Sequence, residues 1–168
     1  LQPRGGAIMG GVVFNKQQIR ILGASAVAVP LTGSTSETIL ATIVVPAGSM
    51  GTNGLLRVSY LWSMTSSANV KTPRLRLGGI AGTAFYQQTH TTTATLRHQT
   101  EIANRNSAAS QVSYPSIAGG GGWSTSAQAV TTGTVNTAVA QDLVITGQLA
   151  SAGETITLES YIVELIVP

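Results

Sequence analysis

The residues able to do chemistry are few and widely spaced. The six acids are Glu37, Glu101, Asp142, Glu154, Glu159 and Glu164, and the only histidines are His90 and His98. A glycosidase needs two carboxylates facing one cleft at a set separation. Glu159 and Glu164 differ in strand parity, so on a regular strand they point apart unless a bulge realigns them. Glu37 and Glu154 stand at strand entries, where a carboxylate commonly meets backbone amides. His90, His98 and Asp142 with a serine would make a triad on paper, but no Gly-x-Ser-x-Gly elbow accompanies them. His90 and His98 with Glu101 could hold a metal, yet a spacing of eight is no recognised ligand pattern. The residues therefore assign no catalytic group, no metal and no cofactor. At a three-fold subunit axis, either histidine could line it.

The remaining candidates read as contacts. Gly119–Gly122 followed by Trp123 lacks the Gly-Lys-Ser/Thr of a phosphate loop. It reads as a loop presenting an aromatic ring that stacks on a sugar, plugs into a partner or folds back to cap the core. Arg74 and Arg76 share the outer face of one strand, either as a solvated pair or as contacts for an acidic partner or phosphate. Lys71, Arg74 and Arg76 are the nearest approach to a basic cluster, too sparse for nucleic acid. Arg105 lies in a polar turn between Asn104 and Asn106.

The elements that must position these groups are strands. Charged residues make up 9% of the 168, the formal charge is +3, and cysteine is absent. There is thus no disulfide framework and no thiolate metal site. So little charge removes a usual brake on self-association. No apolar run reaches the length of a membrane helix. The first residue is Leu, so the chain reads as processed, trimmed or a fragment. A chain this long buries about two-thirds of its unfolded surface. With aromatics at 5%, the core must be mostly Val, Ile, Leu and Ala.

Leu1 to Lys16 is glycine-rich yet carries Ile8, Met9, Val12, Val13 and Phe14. It reads as an N-terminal arm over 1–17, either frayed or docked on a neighbouring subunit, ahead of a β-domain over 18–168. Ile19 to Leu22 is a short strand. Thr38 to Val45 is apolar and β-branched on both faces, as in a strand buried on both sides. Pro46 to Gly54 is a dense turn. Leu56, Val58, Tyr60 and Trp62 then alternate with Arg57, Ser59 and Ser63, with Leu61 as the exception on the polar face. Thr65 to Asn69 turns the chain. Leu75 and Leu77 point inward between the two arginines, after Pro73 at the strand start. Thr83 to Thr100 reads as strand on its threonines. Gln111 to Tyr114 is a short strand stopped by Pro115, and Leu143 to Thr146 and Thr155 to Val167 close the domain. In the last, Ile156 and Leu158 share one face while Tyr161, Val163 and Leu165 share the opposite phase. A one-residue slip moves every side chain across the sheet, so a β-bulge or sheet crossing is expected at Glu159–Ser160. No window has a helical period. Strand after strand with frequent turns predicts an all-β antiparallel sandwich, jelly-roll-like, with a barrel as the other option.

Leu31-Thr-Gly-Ser-Thr-Ser-Glu-Thr-Ile-Leu-Ala-Thr-Ile-Val-Val-Pro-Ala-Gly48, Gly51-Thr-Asn-Gly-Leu-Leu-Arg-Val58, Leu61-Trp-Ser63 and Lys71-Thr-Pro-Arg-Leu-Arg-Leu-Gly-Gly79 resemble structural proteins of tailed bacteriophages and prophages. Ile102 to Gln111 and Ile145 to Leu165 are similar too. The resemblance implies a virion β-sandwich assembling as a trimer: a capsid decoration (cement) protein on the major capsid protein, or a tail-fibre or receptor-binding module for host surface glycan. It carries no catalytic residue. The implied location is the phage particle, with synthesis in the bacterial host cytoplasm, and neither nucleic acid nor membrane is an implied partner.

Overall fold

A computed structural model describes residues 18–115 and 128–168. The arm and Trp123 lie outside the described residues, as do Ile8, Met9, Val12, Val13, Phe14 and Gly119–Gly122. The described chain forms eleven strands and no helix: β1 (Gln18–Ser25), β2 (Val29–Thr32), β3 (Thr38–Val45), β4 (Leu55–Met64), β5 (Lys71–Leu77), β6 (Thr83–Gln87), β7 (Thr95–Asn104), β8 (Gln111–Ser113), β9 (Thr131–Gly133), β10 (Gln141–Leu149) and β11 (Thr155–Val167).

Two antiparallel sheets stack face to face. The larger runs β1-β11-β4-β7-β8-β9, with β2 also on β11, and the smaller runs β3-β10-β5-β6. The chain crosses between sheets at β2–β3, β3–β4, β4–β5, β6–β7, β9–β10 and β10–β11. This wrapping of two four-strand layers is a jelly roll; β8 and β9 extend one layer. The sandwich and its jelly-roll order agree with the sequence expectation.

The alternation in β4 sets the core. Leu56, Val58, Tyr60 and Trp62 are all buried against Leu75 and Leu77 of β5 and Leu143 and Ile145 of β10. Such side chains each contribute roughly 1.5–3 kcal/mol on burial. The expected parity flip in β11 is a bulge: the pairing with β4 slips between Leu158 and Ser160. The slip keeps Ile156, Leu158, Val163 and Leu165 all in the core. On its other side, β11 pairs β2 up to Leu158 and β1 from Tyr161 onward. The break between β1 and β2 thus falls beside the bulge.

The Pro46–Gly54 turn is held from within. Met50 is fully buried and its carbonyl accepts from Gly54 N at 2.8 Å. A Cβ at Gly54 would stand 2.2 Å from that oxygen, so the turn requires glycine. A buried amide network ties it to its neighbours. Asn104 Nδ2 donates to Gly51 O at 2.7 Å and to Thr137 Oγ1 at 2.9 Å, and Gln111 Nε2 donates to Asn104 Oδ1 at 2.9 Å.

One expectation needs correction. β3 is not buried on both sides: Ile39 is 40% and Val44 56% exposed. β3 is an edge strand, and nothing among the described residues covers its outer face there. The stretch from Thr83 to Thr100 is two strands, β6 and β7, in different sheets.

Candidate functional site

Three groups of side chains stand out, one on each outer face and one inside. On the outer face of the larger sheet, cross-strand register sets the side chains in rows. Ala103, Leu55, Ile166 and Ile19 form one; Glu101, Arg57, Glu164 and Ile21 the next; Gln99, Ser59, Ile162 and Ala24 the third; Arg97, Leu61 and Ser160 the fourth. The β7 side of this face is polar. Arg57 Nε donates to Glu101 Oε1 at 2.8 Å, with Glu164 at 3.8 Å. Toward β1 the face is apolar and open, with Ile19 60%, Ile21 50%, Leu61 37% and Ile162 36% exposed. Over the bulge, where Ala24, Ser59 and Ser160 are small, the face sinks into an open groove of about 610 Å3 bordered by Leu61, Ile162 and Arg97. Arg97 makes no ion pair among the described residues.

The centre of the outer face of the smaller sheet is covered by a charge cluster, while Ile39 and Val44 of β3 stay exposed at its margin. Arg74 and Arg76 do share it, as their spacing requires, and both meet Glu37, which enters at the start of β3. Arg76 donates to Glu37 through Nε at 2.8 Å and Nη2 at 3.0 Å. Arg74 Nη1 lies 3.4 Å from Glu37 Oε2, and its Nε donates to Gln87 Oε1 at 2.7 Å. Thr146 Oγ1 donates to the same carboxylate at 2.6 Å. Burial alone would raise the Glu37 pKa; the Arg76 and Thr146 hydrogen bonds and the Arg74 charge outweigh it and hold the carboxyl below its ordinary value. A bidentate guanidinium–carboxylate pair is the strong form of such a contact. The strand-entry carboxylate thus meets side chains rather than backbone amides.

Inside, one of the two histidines joins tyrosines. His98 stacks on Tyr86 with ring centroids 4.3 Å apart and lies 5.8 Å from Tyr60. Burial, with His90 nearby, pushes the His98 pKa down to about 4; burial lowers His90 too. Lys71, read as part of a basic cluster, is instead fully buried. Its Nζ lies 3.4 Å from Glu154 Oε2 and donates to Ser67 Oγ at 3.0 Å. The Ser67 hydrogen bond, then those of Asn69 and Lys71, hold the Glu154 carboxyl below its ordinary value. Burial disfavours an unpaired ammonium, and the carboxylate offsets that cost.

The ionisable groups do not converge. Glu101 and Glu164 lie on one outer face and Glu37 on the other. Glu154 closes on Lys71, Glu159 accepts from Ser63, and His98 stacks on Tyr86 inside the sandwich. Among the described residues no three His, Asp or Glu are grouped to hold a metal ion. No helix there is long and apolar enough to cross a membrane.

No protein-family model matches the chain, and no curated protein matches it. Among solved structures it is similar to the infectious bursal disease virus Gx strain, at 10% identity and a TM-score of 0.30 over 98% of this chain and 45% of that one. For the Gt strain of the same virus the identity is 10% and the TM-score 0.25, over 99% of this chain and 47% of that one. The chain spans less than half the length of either. A superposition that loose places neither a site nor an activity on this chain.

Proposed function

We propose that this chain is a non-enzymatic structural component of a tailed-phage virion, packing as an oligomer, a trimer by resemblance, on the particle surface as a capsid decoration protein. One observation supports it most. Beside β1 the described residues leave an apolar, uncommitted sheet face, while many of the charged groups are paired within the fold. Surfaces of that kind mark contacts with other macromolecules. The test is co-sedimentation of the purified chain with particles made without it. Saturable binding that is lost when Leu1 to Lys16 is removed supports the reading, provided the shortened chain keeps its β circular dichroism. Unchanged binding by the shortened chain counts against the arm, and no binding by the full chain counts against decoration.

The groove favours a second reading, a tail-fibre or receptor-binding module. Hydroxyls of Ser59 and Ser160 beside the unpaired guanidinium of Arg97 suit an acidic host glycan. Arg97→Ala and Trp123→Ala would then lower cell attachment while leaving assembly intact. No effect on attachment would favour the decorating role.

A further inference from the structure

β1 is an edge. Among the described residues it pairs β11 on one side only, so its outward row of backbone N–H and C=O groups faces away from the described sheet. Natural edge strands are usually blunted by charge, proline or extreme shortness. β2, continuing the same edge, is four residues long and carries Pro30. β9, at the opposite edge, is three residues long. β1 is eight residues long with a single charge, Arg20, and one irregularity between Ile21 and Gly23. It also borders the apolar stripe: Ile19 and Ile21 lie on the outer face, Leu61 and Ile162 continue it inward, and Val27, just past β1, is 74% exposed.

We infer that residues 8–14 of a second copy of this chain add to the open edge of β1 as an extra strand, extending the larger sheet from one subunit into the next. This rests on the assembly reading above and names the contact. The segment Ile8-Met-Gly-Gly-Val-Val-Phe14 suits the role by period: Ile8, Val12 and Phe14 fall on one face of a strand, with glycine at 10 between them. Main-chain ladder bonds supply affinity in such an addition, and alternate side chains supply fit. Those three would continue the Ile19–Ile21 stripe. The tether is short: residues 15–17 separate Phe14 from β1 and reach about 14 Å when extended, so the contact requires the two copies to lie side by side with their β1 starts adjacent. Charge agrees locally. The segment is flanked by Arg4 and Lys16 with no acid in residues 1–17, whereas Arg57 faces two carboxylates, Glu101 and Glu164, in the row of Ile21. β3 is a rival edge, with no charge of its own and with Ile39 and Val44 exposed, but the outer face beside it is occupied by the Glu37–Arg74–Arg76 cluster, which breaks any apolar stripe there. The contact is head-to-tail, arm to edge, so it closes into a ring or runs on as a filament.

Two full-length variants test it by complementation. One breaks the arm (Val12→Asp with Phe14→Asp), and the other breaks the edge (Ile19→Asp with Ile21→Asp). Ile19 and Ile21 are exposed, so the fold should tolerate the change; circular dichroism checks this, and Ile19→Thr with Ile21→Thr provides a milder edge variant that keeps β-branching. In sedimentation velocity the unaltered chain is expected as an oligomer and each variant alone as a monomer. An equimolar mixture should recover a dimer with one chain of each kind, because one good arm and one good edge remain. Variants that stay monomeric when mixed point to a symmetric face-to-face contact and overturn the inference. An oligomer unmoved by either variant overturns it too, while leaving the assembly reading standing. An unaltered chain that is monomeric at every concentration defeats both.

Discussion

On the smaller sheet, Glu37 gathers Arg74, Arg76 and Thr146 into a lid of charge over the outer face. On the larger sheet, the equivalent face holds Arg57, Glu101 and Glu164 to one side and, on the other, isoleucines that no described residue covers. Both faces come from the same alternating β-strands. What separates them is where the few charges fall. A carboxylate at a strand entry meets two guanidiniums in one case, so the centre of that face is covered by the chain itself. In the other case the side chains next to the open edge meet no cover among the described residues. Damage to the first face should therefore appear as lost stability, and damage to the second as lost association.

The strongest way to break this contrast is Glu37→Ala. It strands two half-buried arginines and is expected to lower unfolding free energy by about 2 kcal/mol, a value discounted because solvent screens part of the cluster. Chemical denaturation reads the loss, and sedimentation should show association unchanged. The same carboxyl predicts a pH dependence. Its folded pKa lies below its ordinary value, so the stability it confers is present above pH 4.5 and is lost as pH falls through the folded pKa. The converse variant, Ile21→Ser, should weaken self-association about tenfold, which is about 1.4 kcal/mol. Its denaturation midpoint should stay within about 0.5 kcal/mol of the original, as for exposed substitutions generally.

A third measurement sharpens the contrast by adding the interior. His98 titrates near 4 when folded against an ordinary 6.5. The unfolded chain binds the proton first, so stability should fall as pH drops from 6.5 to about 4 and this contribution should level off below. The partial exposure of the ring limits the loss to about 1 kcal/mol. His98→Phe keeps the stack on Tyr86 and should flatten that part of a stability–pH curve. The smallest effect is expected for Arg57→Ala. Its pair with Glu101 is exposed, so denaturation should shift by less than about 0.5 kcal/mol.

Much of the architecture could be read from residues. The alternation in β4 placed Trp62 and Tyr60 inside, and the phase change in β11 located the bulge at Glu159, because period two leaves no freedom once a face is buried. Other features were silent. β2 hides behind Pro30, which is tolerated because it sits on an edge. Lys71 looks like surface by type, and only its partners Glu154 and Ser67, far away in sequence or across a turn, make its burial possible. Arg74 and Arg76 were legible as a pair on one face, but not their neutralisation by Glu37, since that contact depends on β3 and β5 sharing β10. Ile39 and Val44 read as buried because apolar type does not reveal that a strand stands at a margin. The groove was invisible for the same reason: Ala24, Ser59 and Ser160 acquire meaning only when register lays them side by side.

β11 lies between β1 and β2 on one side and β4 on the other. A ribosome must therefore release Thr155–Val167 before the middle of the larger layer can exist at all. Until then the earlier segments wait without their shared neighbour, and their apolar faces are available to any other nascent copy on the same message. Crowded synthesis is where such a protein would be most exposed to entanglement, and slow decoding ahead of residue 155 would lengthen that interval.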